Sequence, residues 1–393
     1  MSTLKLNEYQ SNFDPATGDE LSLWFGKHND TIDGLTVLLS GVPLLRNDKT
    51  GAIFFPDRTK KVIHFFLEDA KKKGELGINL SPKESGNKRY DYAQKVDFIY
   101  SSIDHEYIPG LQRPWEEGFL TPVFFSLSVL NKYSQNPGYS LELSSATWGT
   151  ISCGTQWHID FGINKNKKVM MWLGDIDSLP ENEQYYLRSE NIESDHCIHS
   201  QFYDSQIENK WADPSVEDRV LKLRADLSEL TEKKCNEPLY ILDGEVSKVI
   251  ANLDKPVFWE DKNVSPTIEA LNRIFVESIN AKTLKQAIKK SDPTLDIKAK
   301  NGLKLFSMWI EHCLNSTDSY KIMSPFFVLY DFRILVCHLQ SQKRQDEQLE
   351  SINERLQILK SNTDYEAIYN ALFTQLESSY TEILELTSGW TLS

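Results

Sequence analysis

The sequence predicts an α+β protein: a mixed α/β N-terminal domain with antiparallel strands, followed by an all-α helical bundle at the C-terminus. Three observations carry this reading. An apolar/polar alternation broken by a polar turn, as a hairpin requires, falls at 155–173. Strand signals end near 260, and past 265 only helical periodicity remains. The 393 residues exceed one ordinary core, so two domains are expected, 1–260 and 265–393.

In the first domain, Thr36–Leu39 and Ile53–Phe55 read as short strands around a turn made by Asn47-Asp48-Lys49-Thr50-Gly51. The 58–73 segment is helical, with Val62, Phe65, Phe66 and Ala70 at helical spacing and Gly74 as the stop. From 107 to 125, Pro, Gly and aromatic residues alternate too often for a helix, so turns leading into an extended, core-forming stretch are predicted. Thr155–Ile163, the turn Asn164–Lys167 and Val169–Leu173 form the hairpin. A Pro-led, acidic 179–190 segment suits a short helix. Glu217–Lys234 is a charged helix, Pro238–Leu242 a strand, and Asp243-Gly244 a turn before a short apolar segment, 246–253.

The second domain begins with Ser265 as cap and Pro266 at the first helical position. Helices are expected at 267–280, 284–290, 301–313, 325–339 and 363–386, with a Gln- and Glu-rich element at 341–359. The 325–339 helix, opened by Ser324-Pro325, is unusual. Leu329, Phe332, Val336 and Leu339 make one stripe, while Phe327, Ile334 and Leu335 lie near the opposite face. A helix apolar nearly all round is buried on two sides, so it is expected to meet its own bundle and a second subunit. Into this apolar run are set Arg333 and His338.

An Arg, four residues and a His on a C-terminal helix of an all-helical domain resemble the HEPN superfamily, the "higher eukaryotes and prokaryotes nucleotide-binding" domains. The resemblance implies a metal-independent endoribonuclease, often a toxin in antiviral defence and abortive infection, that dimerises through the motif helices. RNA would then be the substrate, a phage component or protein the activator, and the 325–339 helix the homodimer contact. His338 would be the catalytic acid/base and Arg333 the phosphate-binding residue, because an imidazole titrates near neutrality and a guanidinium forks onto phosphate oxygens. No cofactor and no metal are called for. Five residues rotate a helix by about 140°, so the pair must converge by side-chain reach or across a dimer. Catalytic relatives usually carry Asn, Asp or His after the Arg, where this chain has Ile334. That departure supports an alternative: a non-catalytic dimerising sensor or binding protein with a degenerate bundle. In it, Arg333 pairs with Asp331 or with a Glu of a neighbouring helix.

Another gathering of chemistry-bearing residues is His158 and Asp160 on the hairpin with Asp195, His196 and His199 after it. Imidazoles and carboxylates suit a transition metal. With no second spaced His or Cys pair, the favoured reading is a polar loop with two exposed histidines. No phosphate loop, serine elbow or dinucleotide fingerprint is present. Five scattered cysteines exclude a disulfide framework and are expected to be mostly buried thiols. The net charge of −14 argues against a general nucleic-acid coat, which needs Lys and Arg to neutralise phosphates. With no apolar run near ~20 residues and no signal-like segment at 1–17, a cytoplasmic protein without membrane contact is expected.

Overall fold

The computed structural model describes residues 6, 8–82, 86–210, 214–253 and 255–390. They form two compact units, 1–213 and 214–393.

The N-terminal unit opens with strands β1 (Leu21–Trp24), β2 (Lys27–Ile32), β3 (Leu35–Ser40), β4 (Leu44–Asn47) and β5 (Ile53–Phe54), then helix α1 (Asp57–Lys73) and β6 (Gly77–Leu80). The turn at Asn47–Gly51 joins β4 to β5, with Leu45 opposite Phe54, rather than joining the two strands expected. Its donors are held by Asn47, whose Oδ1 accepts from the Lys49 and Thr50 amides. Gly74 ends α1 in the left-handed region, φ 73°, and donates back to Ala70 and Lys71. β3 pairs with β2 antiparallel and with β6 in parallel across the α1 crossover, so the unit is not purely antiparallel. Ile32, Val37, Leu39, Ile63 and Leu67 seal α1 onto this sheet.

Next come α2 (Ser102–Tyr107), β7 (Pro122–Phe125), α3 (Asn131–Gln135), β8 (Ser140–Ser145), β9 (Trp148–Cys153), β10 (Trp157–Ile163), β11 (Val169–Trp172), α4 (Leu173–Asp177), α5 (Glu181–Ser189), β12 (Asn191–Ile192) and α6 (Gln201–Gln206). The six strands make an antiparallel sheet in the order β12-β7-β11-β10-β9-β8. The predicted hairpin is β10–β11, with Gly162 opposite Met170, and its turn closes as Lys167 N–H donates to Asn164. β7 and β11 are buried on both faces, which is why neither alternates. Of the 107–125 aromatics, Phe124 and Phe125 lie in the core and Trp115 is exposed. Leu21, Leu23 and Leu45 share one core with Phe124, Met170, Trp172 and Phe202.

The helical unit contains α7 (Val216–Cys235), α8 (Asp243–Ala251), α9 (Asp261–Asn272), α10 (Ala281–Ser291), α11 (Gly302–His312), α12 (Ser319–Cys337), α13 (Gln342–Arg355) and α14 (Tyr365–Gly389). It starts at Pro214, well before the boundary expected near 260–265. The reason is packing: α7 lies along α14, and its buried Arg224 donates to the Ile274 carbonyl (2.9 Å) and Ser278 Oγ (3.0 Å) over the Tyr240 ring. Residues 273–277 form a π-helical turn, and Arg224 and Ser278 satisfy the carbonyl it releases. The strand expected at 238–242 is a single bridge, Tyr240 to Ile279, and the expected turn at 243–244 is the start of α8.

Two expected helix starts are also misplaced. Pro266 and Pro325 lie inside α9 and α12, which begin at Asp261 and Ser319. Burial of Val264, Ile322, Met323 and Phe326 outweighs the one backbone bond each proline removes. α12 is buried because it is a central helix, packed by α9, α11, α13 and α14 of its own unit. Its exposed side chains include Tyr320, Tyr330 and Cys337, with Leu339 just beyond its end.

Candidate functional site

Arg333 and His338 stand in different settings in this chain. Arg333 sits in the last quarter of α12 with its side chain 23% exposed, and its Nε donates to Glu269 Oε2 on α9. Its Nη2 reaches Glu269 Oε1 at 3.4 Å. Hydrogen bonding from Arg333 holds the Glu269 carboxyl below its ordinary range and raises the guanidinium further. Of the two partners weighed for Arg333, the neighbouring-helix Glu is therefore the one used. Asp331 instead accepts from Arg355 Nη2 of α13 at 2.6 Å. His338 lies past the last helical residue in extended backbone, φ −120°, ψ 139°, exposed to solvent. The about 140° of rotation expected between the two residues does not apply, since the helix has ended before the histidine.

The five residues near the hairpin disperse as well. His158 is exposed on β10, and Asp160 accepts from Thr150 Oγ1 at 2.6 Å. Near them Asp175, at the start of α4, has its pKa pushed up to about 6 by burial and then by the Asp160 charge. Asp195 takes the Asn166 and Asn164 amides and the Cys197 N–H, which shapes the 193–200 loop.

His196 and His199 are the organised pair. His196 has φ +59°, a left-handed conformation costly for a residue with a Cβ. That conformation aims Nδ1 at Asp104 Oδ1, 2.6 Å away, while Ser194 Oγ donates to Asp104 Oδ2. The Asp104 side chain is fully buried and His196 is partly exposed, packed on the Phe25 ring. Burial works against the imidazolium, but the hydrogen bond and charge of Asp104 outweigh it, so the pKa is raised. This is an imidazole oriented by a carboxylate, with Nε2 left for another partner.

His199, expected on the surface, is buried instead, between the rings of Phe13 and Tyr203. Its Nε2 lies 3.0 Å from the Leu21 carbonyl oxygen and 2.9 Å from the Asn12 amide. Nδ1 faces Asp204 Oδ1 at 3.4 Å, and Glu20 completes a group whose ligand atoms all lie within 4.8 Å of one another.

Glu269, Asp104, Glu20 and Asp204 escaped sequence reasoning. Except for Asp204, each lies far along the chain from the residue it serves, and no spacing rule connects them. Only a left-handed His or a buried Asp, visible in three dimensions, marks them. All five cysteines are free thiols, and two of them, Cys197 and Cys313, are buried, fewer than expected. Among the described residues no helix is long and apolar enough to cross a membrane. Compared with family models, curated proteins and solved structures, the chain matches none.

Proposed function

We propose that the chain is a dimerising binding protein whose helical unit is a HEPN-like bundle without nuclease activity. The observation that carries this is the Arg333–Glu269 pair. A guanidinium that already gives Nε and Nη2 to a carboxylate has its charge matched and keeps only its Nη1 side for a phosphate, and His338 stands beyond the helix that would hold it in register. The second subunit is assigned to the C-terminal half of α12, where Tyr330 and Cys337 are exposed and Leu339, just past the helix, is fully exposed.

Exposure of His338 favours the second reading, a metal-independent endoribonuclease of the defence type that a phage or protein activator would switch on by drawing Glu269 away from Arg333. One set of proteins separates them. Wild type, Glu269→Gln, Glu269→Gln with His338→Ala, and Leu339→Glu are assayed for cleavage of structured and single-stranded RNA and for mass by light scattering. The binding-protein reading expects no cleavage by any of them, a dimer for wild type and a monomer for Leu339→Glu. Cleavage that appears in Glu269→Gln and disappears with His338→Ala would overturn it. A monomeric wild type would remove the dimer.

A further inference from the structure

We propose that Glu20, His199 and Asp204 form a binding site for a divalent transition-metal ion of the Zn²⁺ class. With the ring hydrogen of His199 assigned to Nε2, where the Leu21 carbonyl accepts at 3.0 Å, the Nδ1 lone pair faces Asp204 Oδ1. Turning the Asn12 amide over agrees with this. Its Oδ1, buried and without a partner among the described residues, then takes the same Nε2–H. A histidine whose second nitrogen is fixed by a backbone carbonyl is the usual supporting arrangement of a metal ligand.

The distance supplies an independent argument. A charged imidazolium–carboxylate hydrogen bond closes to about 2.7–2.9 Å. The Nδ1 to Asp204 Oδ1 separation is 3.4 Å. Two ligands each about 2.1 Å from one tetrahedral ion stand roughly 3.4 Å apart, so this separation, at the long end for a hydrogen bond, is one that a shared metal ion would set. Without a cation, the ligand atoms of Glu20, His199 and Asp204 would gather within 4.8 Å of one another around a His199 side chain that is only 5% exposed.

The nitrogen ligand sets the class. Mg²⁺ and Ca²⁺ prefer all-oxygen sites, whereas a His with two carboxylates suits Zn²⁺ or Co²⁺. Glu20 is exposed, so the remaining coordination position opens to solvent and takes water. The ion would join the chain just before β1, the 193–200 loop and α6 in one clip.

The test uses the full chain stripped with chelator, then titrated with ZnCl₂, CoCl₂ and MgCl₂ and followed by calorimetry and by the visible absorption of bound Co²⁺. Expected are one Zn²⁺ or Co²⁺ per chain, the intense visible bands of low-coordinate Co²⁺, and no binding of Mg²⁺ at the same site. Glu20→Ala and Asp204→Asn should each weaken Zn²⁺ binding at least tenfold, and His199→Gln should abolish the Co²⁺ bands. Because Glu20 is on the surface, Glu20→Ala tests the site even if His199→Gln fails to fold. Absence of stoichiometric Zn²⁺ binding, or a Zn²⁺ affinity that Glu20→Ala and Asp204→Asn leave unchanged, overturns the proposal.

Discussion

The polar side chains singled out in the helical unit and in the N-terminal unit are closed to different degrees. In the helical unit the embedded cations named above are closed by partners within their own bundle: Arg224 by Ile274 and Ser278, Arg333 by Glu269, Arg355 by Asp331. In the N-terminal unit, carboxylates hold imidazoles by one nitrogen or face them without closing, and one carboxyl, Asp175, is kept where its charge is disfavoured. Closed pairs fix architecture, whereas incompletely satisfied groups are where binding and proton transfer start. The comparison therefore moves the search for chemistry from the Arg333–His338 helix to the 193–204 region.

The largest expected effect tests the closed side of the contrast. Arg224 is buried, so truncating it removes the donor to Ser278 Oγ, leaves the Ile274 carbonyl with the Ser278 hydroxyl alone and opens a hole against Tyr240. Arg224→Ala should cost the helical unit about 2–4 kcal/mol, read as a lower urea midpoint at unchanged slope. A loss below about 1 kcal/mol would mean that α7 is not a working part of that bundle.

How much of this was readable beforehand follows the range of each interaction. The β10–β11 hairpin, the Gly74 stop of α1 and the helices α10, α11 and α14 depend on neighbours within a turn or two, and their signals lie in the local pattern. The N-terminal limit of the helical unit was not readable, because α7 has the charge and spacing of a helix that could pack on either unit, and Arg224 shows its allegiance only through a carbonyl 50 residues away and a hydroxyl 54 residues away. Pro266 and Pro325 misled for a related reason: a proline is a strong helix-start signal locally, but burial of the residues before it can carry the helix backward through it. The site was partly legible. His196 and His199 stood out as a pair, yet Asp104 lies 92 residues from the histidine it orients, and no periodicity links them.

A middle-sized effect tests the orienting carboxylate. His196 has its pKa raised in the folded chain, so its contribution is fully present below the unfolded value near 6.5 and is lost as pH rises through the folded value. His196→Gln keeps a donor for Asp104 but no charge. The variant should be less stable than wild type by about 1–2 kcal/mol at pH 5.5, with the gap shrinking above pH 7. Measurements are made in chelator, so that metal at His199 does not contribute. A gap that is constant or grows with pH would show that Asp104 does not favour the imidazolium.

The smallest effect has the opposite sign and comes from Asp175. Its folded pKa of about 6 lies above the ordinary aspartate range, chiefly because burial disfavours the carboxylate, with the Asp160 charge adding to it. The folded chain therefore holds this proton more tightly than the unfolded chain does. Stability is unaffected below about pH 4 and declines as the pH rises through 6, leaving a buried charge that costs stability at neutral pH. Asp175→Asn removes that charge while keeping the shape, so its melting temperature should exceed wild type by about 2 °C at pH 7.5, and the gain should vanish toward pH 4. Paired melting curves between pH 4 and 8 decide it. If the substitution lowers the melting temperature at pH 7.5, the carboxylate is being used there, and His158, Asp160 and Asp175 would join the groups of the N-terminal unit that are held ready for a partner rather than closed by one.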